Sequence, residues 1–165
     1  MVRVNRPNLT VLYRHGYYSD EGPAPVDRRV FLTHQRIAGA GNYANDVQDI
    51  RITVNGTTVQ KGERWTDVSM DVNIDMAKVT FKATDDRHVA QLNLAIFAGD
   101  KGGRILGQTW HTMDLKLKDA TYQRYLQEGM PFNVALQAVE RPTYIKVVVY
   151  DYGADLVGSI NYKLK

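Results

Sequence analysis

Residues 143–152 read TYIKVVVYDY, and the alternation in this run decides the fold. In an extended chain Ile145, Val147 and Val149 project to one side, and Tyr144, Val148, Tyr150 and Tyr152 to the other. Both sides are apolar, and β-branched and aromatic residues fill the run, which predicts a central strand covered on two faces. Gly153-Ala154-Asp155 then reads as a short hairpin loop. Leu156, Ile160, Tyr162 and Leu164 point inward on the return strand, with Val157, Ser159, Asn161 and Lys163 outward.

The same rhythm extends back to Asp49. Ile50, Ile52 and Val54 share one face, and Asn55-Gly56 predicts a type I′ hairpin turn before Thr57–Gln60. After Lys61-Gly62 and a loop containing Trp65, Val68, Met70, Val72, Ile74 and Met76 alternate with Asp67, Ser69, Asp71, Asn73 and Asp75. Val79, Phe81 and Ala83 suggest a short strand, and Ala90, Leu92, Leu94, Ile96 and Ala98 a longer inward face. Gly99–Gly103 is a loose turn. Ile105–Leu117 returns with a face switch near Trp110, as a bulge produces. Phe132, Val134, Leu136 and Ala138 lead into the central hairpin. Two short helices interrupt the series. The first is capped by Asp27, turns Val30, Phe31, His34, Ile37 and Ala38 to one face and stops at Gly39. The second covers Asp119–Gln127, with Tyr122, Tyr125 and Leu126 as its apolar face. The expected fold is all-β: an antiparallel, immunoglobulin-like β-sandwich with two short helices and an N-terminal extended arm. Residues 1–25 form that arm and its linker, and 26–165 the sandwich.

The chain has 165 residues, enough for one core without staples, and no cysteine, so disulfides, thiolate nucleophiles and zinc–sulfur sites are out of reach. Its net charge of +3 is spread singly or in pairs, so no stripe tracks phosphates and no nucleic-acid partner is expected. No run is long and apolar enough for a membrane helix, and the start, Met-Val-Arg-Val-Asn, lacks a signal-peptide core and reads as a piece of something longer.

Sites are weighed one by one. On a strand, side chains two residues apart stand about 6.5–7 Å apart, too far to share a cation without a loop, so Asp67, Asp71 and Asp75 read as a solvated face. His15, His34, His88 and His111 show no ligand spacing, and His34 is read as a satisfied core residue. Gly99-Asp100-Lys101-Gly102-Gly103 is followed by a strand instead of a helix, so it is no phosphate loop. Ser19, Ser69 and Ser159 lack a nucleophile elbow. No catalytic residue, metal or cofactor is assigned, and the chain is not expected to be an enzyme. Arg14, His15, Tyr17, Tyr18 and Trp65 remain as binding candidates, combining aromatic and cationic groups. The plainer reading is that the tyrosines pack the N-terminal segment onto the sandwich or onto a missing upstream domain. Trp65 is a binding residue if exposed and a core plug if folded back, while Trp110 belongs to the core or a satellite cluster.

The order of pieces also carries a resemblance. Arg14-His15-Gly16-Tyr17-Tyr18 precedes a helix and alternating strands. Later come Leu94–Ala98, the Gly-Asp-Lys-Gly-Gly turn, Ile105–Gln108, Met113–Leu117, Val147–Asp151 and Leu156–Ser159. Together these resemble the C-terminal region of bacterial von Willebrand factor A-related exported proteins, in which an A domain closes with an Arg-x-Gly-Tyr-Tyr-type motif and an immunoglobulin-like sandwich follows. The resemblance implies a periplasmic, cell-surface or secreted setting and contacts with other proteins or surfaces. It does not carry over the A domain's metal site, because Asp67-Val68-Ser69-Met70-Asp71 has the wrong last residue and lies on an expected strand. The expected function is a non-catalytic interaction module that meets a protein partner or a missing upstream domain. A carbohydrate- or ligand-binding accessory domain using Tyr17, Tyr18 and Trp65 is the alternative, and an oligomeric envelope or filament subunit donating its N-terminal arm a third.

Overall fold

The computed structural model describes residues 27–164. The N-terminal arm, with Arg14, His15, Tyr17, Tyr18 and Ser19, lies outside the described residues, as does the 25/26 boundary. In chain order the elements are α1 (Arg28–Asn42), β1 (Ile52–Lys61), β2 (Thr66–Ile74), β3 (Lys82–Thr84), β4 (Arg87–Gly99), β5 (Ile105–Leu117), α2 (Asp119–Glu128), β6 (Met130–Ala138), β7 (Tyr144–Asp151) and β8 (Leu156–Lys163). All pairings are antiparallel. One sheet runs β1-β2-β6. In the other, β4 takes β5 on one side and both β3 and β7 on the opposite side, with β8 beyond β7. The expected immunoglobulin-like sandwich is therefore present.

The alternation dictates the layers. Val68, Met70, Val72 and Ile74 of β2 meet Leu92, Leu94 and Ile96 of β4 and Ile145, Val147 and Val149 of β7 in one buried core between the sheets. The other face of β7 is buried as well. Val148 and Tyr150, with Ala95 and Val157, pack under Ile37 and Ala40 of α1. Strand β7 is thus covered on both sides, as its sequence requires.

Four local expectations are corrected. Asn55-Gly56 is no hairpin turn: neither residue has positive φ, which a type I′ turn demands at both positions. It is a β-bulge within β1, where the register steps from Val54↔Val72 to Gly56↔Asp71. Val54 and Val59 are an odd number of residues apart, and the extra residue brings both onto the core side. The face switch of β5 falls at Leu106, where the register jumps from Gly99↔Ile105 to Ala98↔Gly107, and not near Trp110. Buried Leu106 and inward Met113 need that offset, and it sends Trp110 to the outer face.

Helix α1 continues through Gly39 to Asn42, and it buries Thr33, Ile37 and Ala40 while Val30, Phe31 and His34 stay exposed. Its rotation is set by the sheet surface. Arg36 pairs with Asp155, the Arg29 guanidinium lies 5.0 Å over the Tyr152 ring, and His34 stacks on Trp110 at 5.3 Å. Asp27 caps it as expected, accepting from the Arg29 amide at 2.8 Å. Finally, the outward residues Val157 and Ser159 of β8 are buried, because α1 and residues 46–50 close over them.

Candidate interaction surface

Strand register brings four separate segments to one end of the sandwich. Lys61 faces Thr66 and Thr66 faces Ala138, while Gly99 faces both Ile105 and Tyr144, and Tyr144 faces Lys163. The β1–β2 turn is closed by the Gly62 amide donating to the Trp65 carbonyl at 2.8 Å. It holds the Trp65 side chain 47% exposed, so Trp65 is not folded back into the core. Ile105 opens β5 at 50% exposure and Val139 follows β6 at 52%; the Val139 amide donates to the Leu106 carbonyl at 2.9 Å and joins the two segments. Three apolar side chains from three segments are thus left in water on one rim.

The rim is braced. The Asp100 carboxylate accepts from the Gly102 and Arg104 amides at 2.9 and 3.0 Å, which sets the turn. Arg104 then bridges Asp100 at 3.1 Å and Glu140 at 2.9 Å, linking the β4–β5 turn to the β6–β7 connection. The Arg104 amide, then its side chain and the Gly102 amide, hold the Asp100 carboxyl below the usual aspartate range. A cleft of about 710 Å³ opens at this end, lined by Lys101, Arg141, Tyr144, Asn161 and Lys163 among others.

The neighbouring outer face of the β1-β2-β6 sheet is polar. A groove of about 690 Å³ passes over Thr58, Gln60, Asp67, Ser69 and Gln137 towards Gln108 of β5. Its carboxylates are engaged locally: Asp67 accepts from Gln137 at 2.9 Å, and Asp71 from Asn133 at 2.7 Å. Asp75 accepts from the Ala77 amide at 2.9 Å, so the acidic stripe forms cross-strand and turn contacts. Among the described residues no three His, Asp or Glu side chains gather as metal ligands would.

The described histidines are scattered. His34 sits on the surface with Nδ1 2.8 Å from the Val30 carbonyl oxygen, which corrects the core reading. His88 stacks on Tyr122 at 3.8 Å, and His111 meets Phe132 edge to face. Trp110 joins a satellite group with His34 and Phe97. Ser159 is buried, its Oγ accepting from the Val47 amide at 3.0 Å.

Two further ionisable groups anchor α1. Lys146 is buried beneath the end of the helix and donates to the Tyr43 carbonyl, where a cation complements the helix C-terminus. Burial pushes its ammonium below the usual lysine range, against the opposing pull of Asp46. Asp155 receives Arg36 and the Tyr150 hydroxyl, the latter at 3.0 Å. The Arg36 hydrogen bond, followed by that of Tyr150, lowers the Asp155 carboxyl.

Of the binding residues expected from sequence, Trp65 alone falls among the described residues. Ile105, Val139 and Arg104 were missed. Each follows or opens a strand, and nothing local says that a turn near residue 62 and another near 103 share an end.

The fold and this surface define the class: an antiparallel β-sandwich with an aromatic-bearing loop end. No family model matches the chain, and no curated protein does. Among solved structures it is similar to a calcium-binding mutant of Bacteroides uniformis beta-glucuronidase 2, at 14% identity and TM-score 0.37, over 69% of this chain and 12% of that one. It is also similar to a beta-glucuronidase from glycoside hydrolase family 2, at 15% identity and TM-score 0.39, over 70% of this chain and 12% of that one. The chain thus spans about 12% of the length of those structures, and its architecture stands on its own strand registers. No helix among the described residues is long and apolar enough to cross a membrane.

Proposed function

We propose that this domain is a non-catalytic interaction module of an exported bacterial protein, docking a protein partner or its own upstream domain through the loop end. One observation carries the reading: Trp65, Ile105 and Val139, from three segments, stay about half exposed on one braced rim. Leaving them in water forfeits burial free energy of roughly 1 kcal/mol or more each, which a docked partner recovers. Tryptophan ranks among the residues that dominate such contacts. The exported setting, and the upstream A domain, follow from the resemblance to von Willebrand factor A-related proteins.

The test uses a longer chain carrying the upstream region, with Trp110→Phe so that Trp65 is the fluorophore of the sandwich. Iodide quenching of Trp65 is expected to fall when the upstream region or a purified partner is present, and Trp65→Ala to release the contact without lowering the melting temperature. Full quenching in every state would remove the proposal. The hydrogen-bonding groove over Gln60, Asp67, Ser69 and Gln137 favours a second reading, a carbohydrate-binding accessory domain, because amides and hydroxyls suit sugar hydroxyls. A shift in Trp65 emission on adding neutral polysaccharide distinguishes it.

A further inference from the structure

The charges of the described domain are not evenly placed. The loop end carries Lys61, Arg64, Lys101, Arg104, Arg141 and Lys163 against Glu63, Asp100 and Glu140. Two of these acids are taken up by Arg104. Lys61, Arg64, Lys101 and Lys163 form no ion pair among the described residues. The opposite end is balanced: Asp75, Asp85, Asp86, Asp119, Glu128, Asp151 and Asp155 lie there with Arg36, Arg51, Lys78, Lys82, Arg87, Lys118 and Arg124. A chain with a small net charge thus carries a local cationic excess around Trp65.

We infer that the loop end docks an acidic protein surface, with Lys61, Arg64, Lys101 and Lys163 flanking the contact made by Trp65, Ile105 and Val139. This rests on the docking reading above and adds the chemistry of the partner. The division of labour is physical. The exposed apolar side chains supply desolvation, and the flanking ammonium and guanidinium groups, still in water, supply attraction and orientation. Rim charges chiefly govern association rate and are screened by salt, because the Debye length falls from about 10 Å at 0.1 M to about 3 Å at 1 M. The braced turn means little ordering cost accompanies docking, since Arg104 already ties the β4–β5 turn to the β6–β7 connection. A protein surface is favoured over an acidic polysaccharide because the rim sets aliphatic Ile105 and Val139 beside exposed Trp65, with Tyr144 only partly exposed, whereas a sugar chain calls for a row of exposed ring faces.

The test uses the full chain in the Trp110→Phe background and, as probe, a random glutamate–tyrosine copolymer, which presents carboxylates and apolar groups on a peptide backbone. Binding is read from Trp65 fluorescence and, for Trp65→Ala, which leaves the chain without tryptophan, from titration calorimetry. The expected result is saturable binding that weakens at least 10-fold between 50 and 500 mM salt. Lys101→Glu with Lys163→Glu weakens it 10-fold or more, and Lys78→Glu with Lys118→Glu, at the opposite end, leaves it unchanged. All these positions are exposed, so unaltered melting temperatures verify folding. No binding of the copolymer, equal binding of alginate, or indifference to the Lys101/Lys163 reversal would each overturn the inference. In the last case, if Trp65→Ala still abolished binding, docking at this end would stand and only the acidic partner would fall. Loss of both effects would sink the docking reading itself.

Discussion

Replacing Gly158 by alanine tests how residues 46–50 seal the sandwich. A Cβ at this position would lie 3.0 Å from both the carbonyl carbon and the Cβ of Ile50, and well inside contact with the Ile50 carbonyl oxygen. Those are largely backbone atoms, so no rotamer change relieves them. The φ of Gly158 is not left-handed, so the cost is contact and not conformation. The segment must lift, straining the Ser159 amide to Val47 carbonyl bond at 2.8 Å and the Val47 amide to Ser159 Oγ bond at 3.0 Å. Losing two such bonds costs about 2 kcal/mol. Partial withdrawal of Ile50, 1% exposed, adds about 1 kcal/mol. About 3 kcal/mol is a large share of a total stability of roughly 5–15 kcal/mol. Urea unfolding should show a stability loss of that size as a lower midpoint with an unchanged slope, and melting should drop by about 6–12 °C. Gly39→Ala is the control: nothing lies within 4 Å of its added methyl, and in the interior of α1 it should stabilise by about 0.5–1 kcal/mol. A Gly158→Ala protein as stable as the parent would refute the seal.

Lys146→Met removes a buried cation whose pKa is depressed by burial. A depressed lysine costs stability at neutral pH, and the cost is relieved as pH rises through the folded value towards the ordinary one near about 10.4. The difference in stability between parent and variant should therefore shift in the parent's favour over that alkaline window, while at pH 7 the change stays within about 1 kcal/mol; a pH-independent difference in chemical denaturation would contradict this. Asp155→Asn addresses the anchor of α1. The Asp155 pKa is lowered by Arg36 first, so its contribution is complete above the usual aspartate range near about pH 4 and is lost as pH falls through the folded value. Parent and variant should converge in acid, and hydrogen exchange of α1 amides should be faster in the variant at neutral pH; equal protection there would show that the Arg36–Asp155 pair does not hold the helix.

The period-two runs determined the sandwich by themselves. Burying every second side chain of β2, β4 and β7 leaves opposed layers as the solution, and the two-faced apolar character of β7 already demanded a second cover. Local chemistry was legible too, in the Asp27 cap. What sequence could not settle was parity and rotation. Asn55-Gly56 carries the composition of a turn, and only the need to bring both Val54 and Val59 inward makes it a bulge. Helix α1 offered Val30, Phe31 and Ile37 as a stripe, but only Ile37 packs, with Ala40, on Ala95, Val148 and Tyr150 of the sheet, and the others are left in water. The interaction surface belongs to the same class. Trp65, Ile105 and Val139 are far apart in the chain, and a shared end exists for them only once register has stacked their strands. Side-chain alternation is a property of neighbours and can be read locally; which loops meet depends on pairings between remote segments, and these only the folded molecule decides.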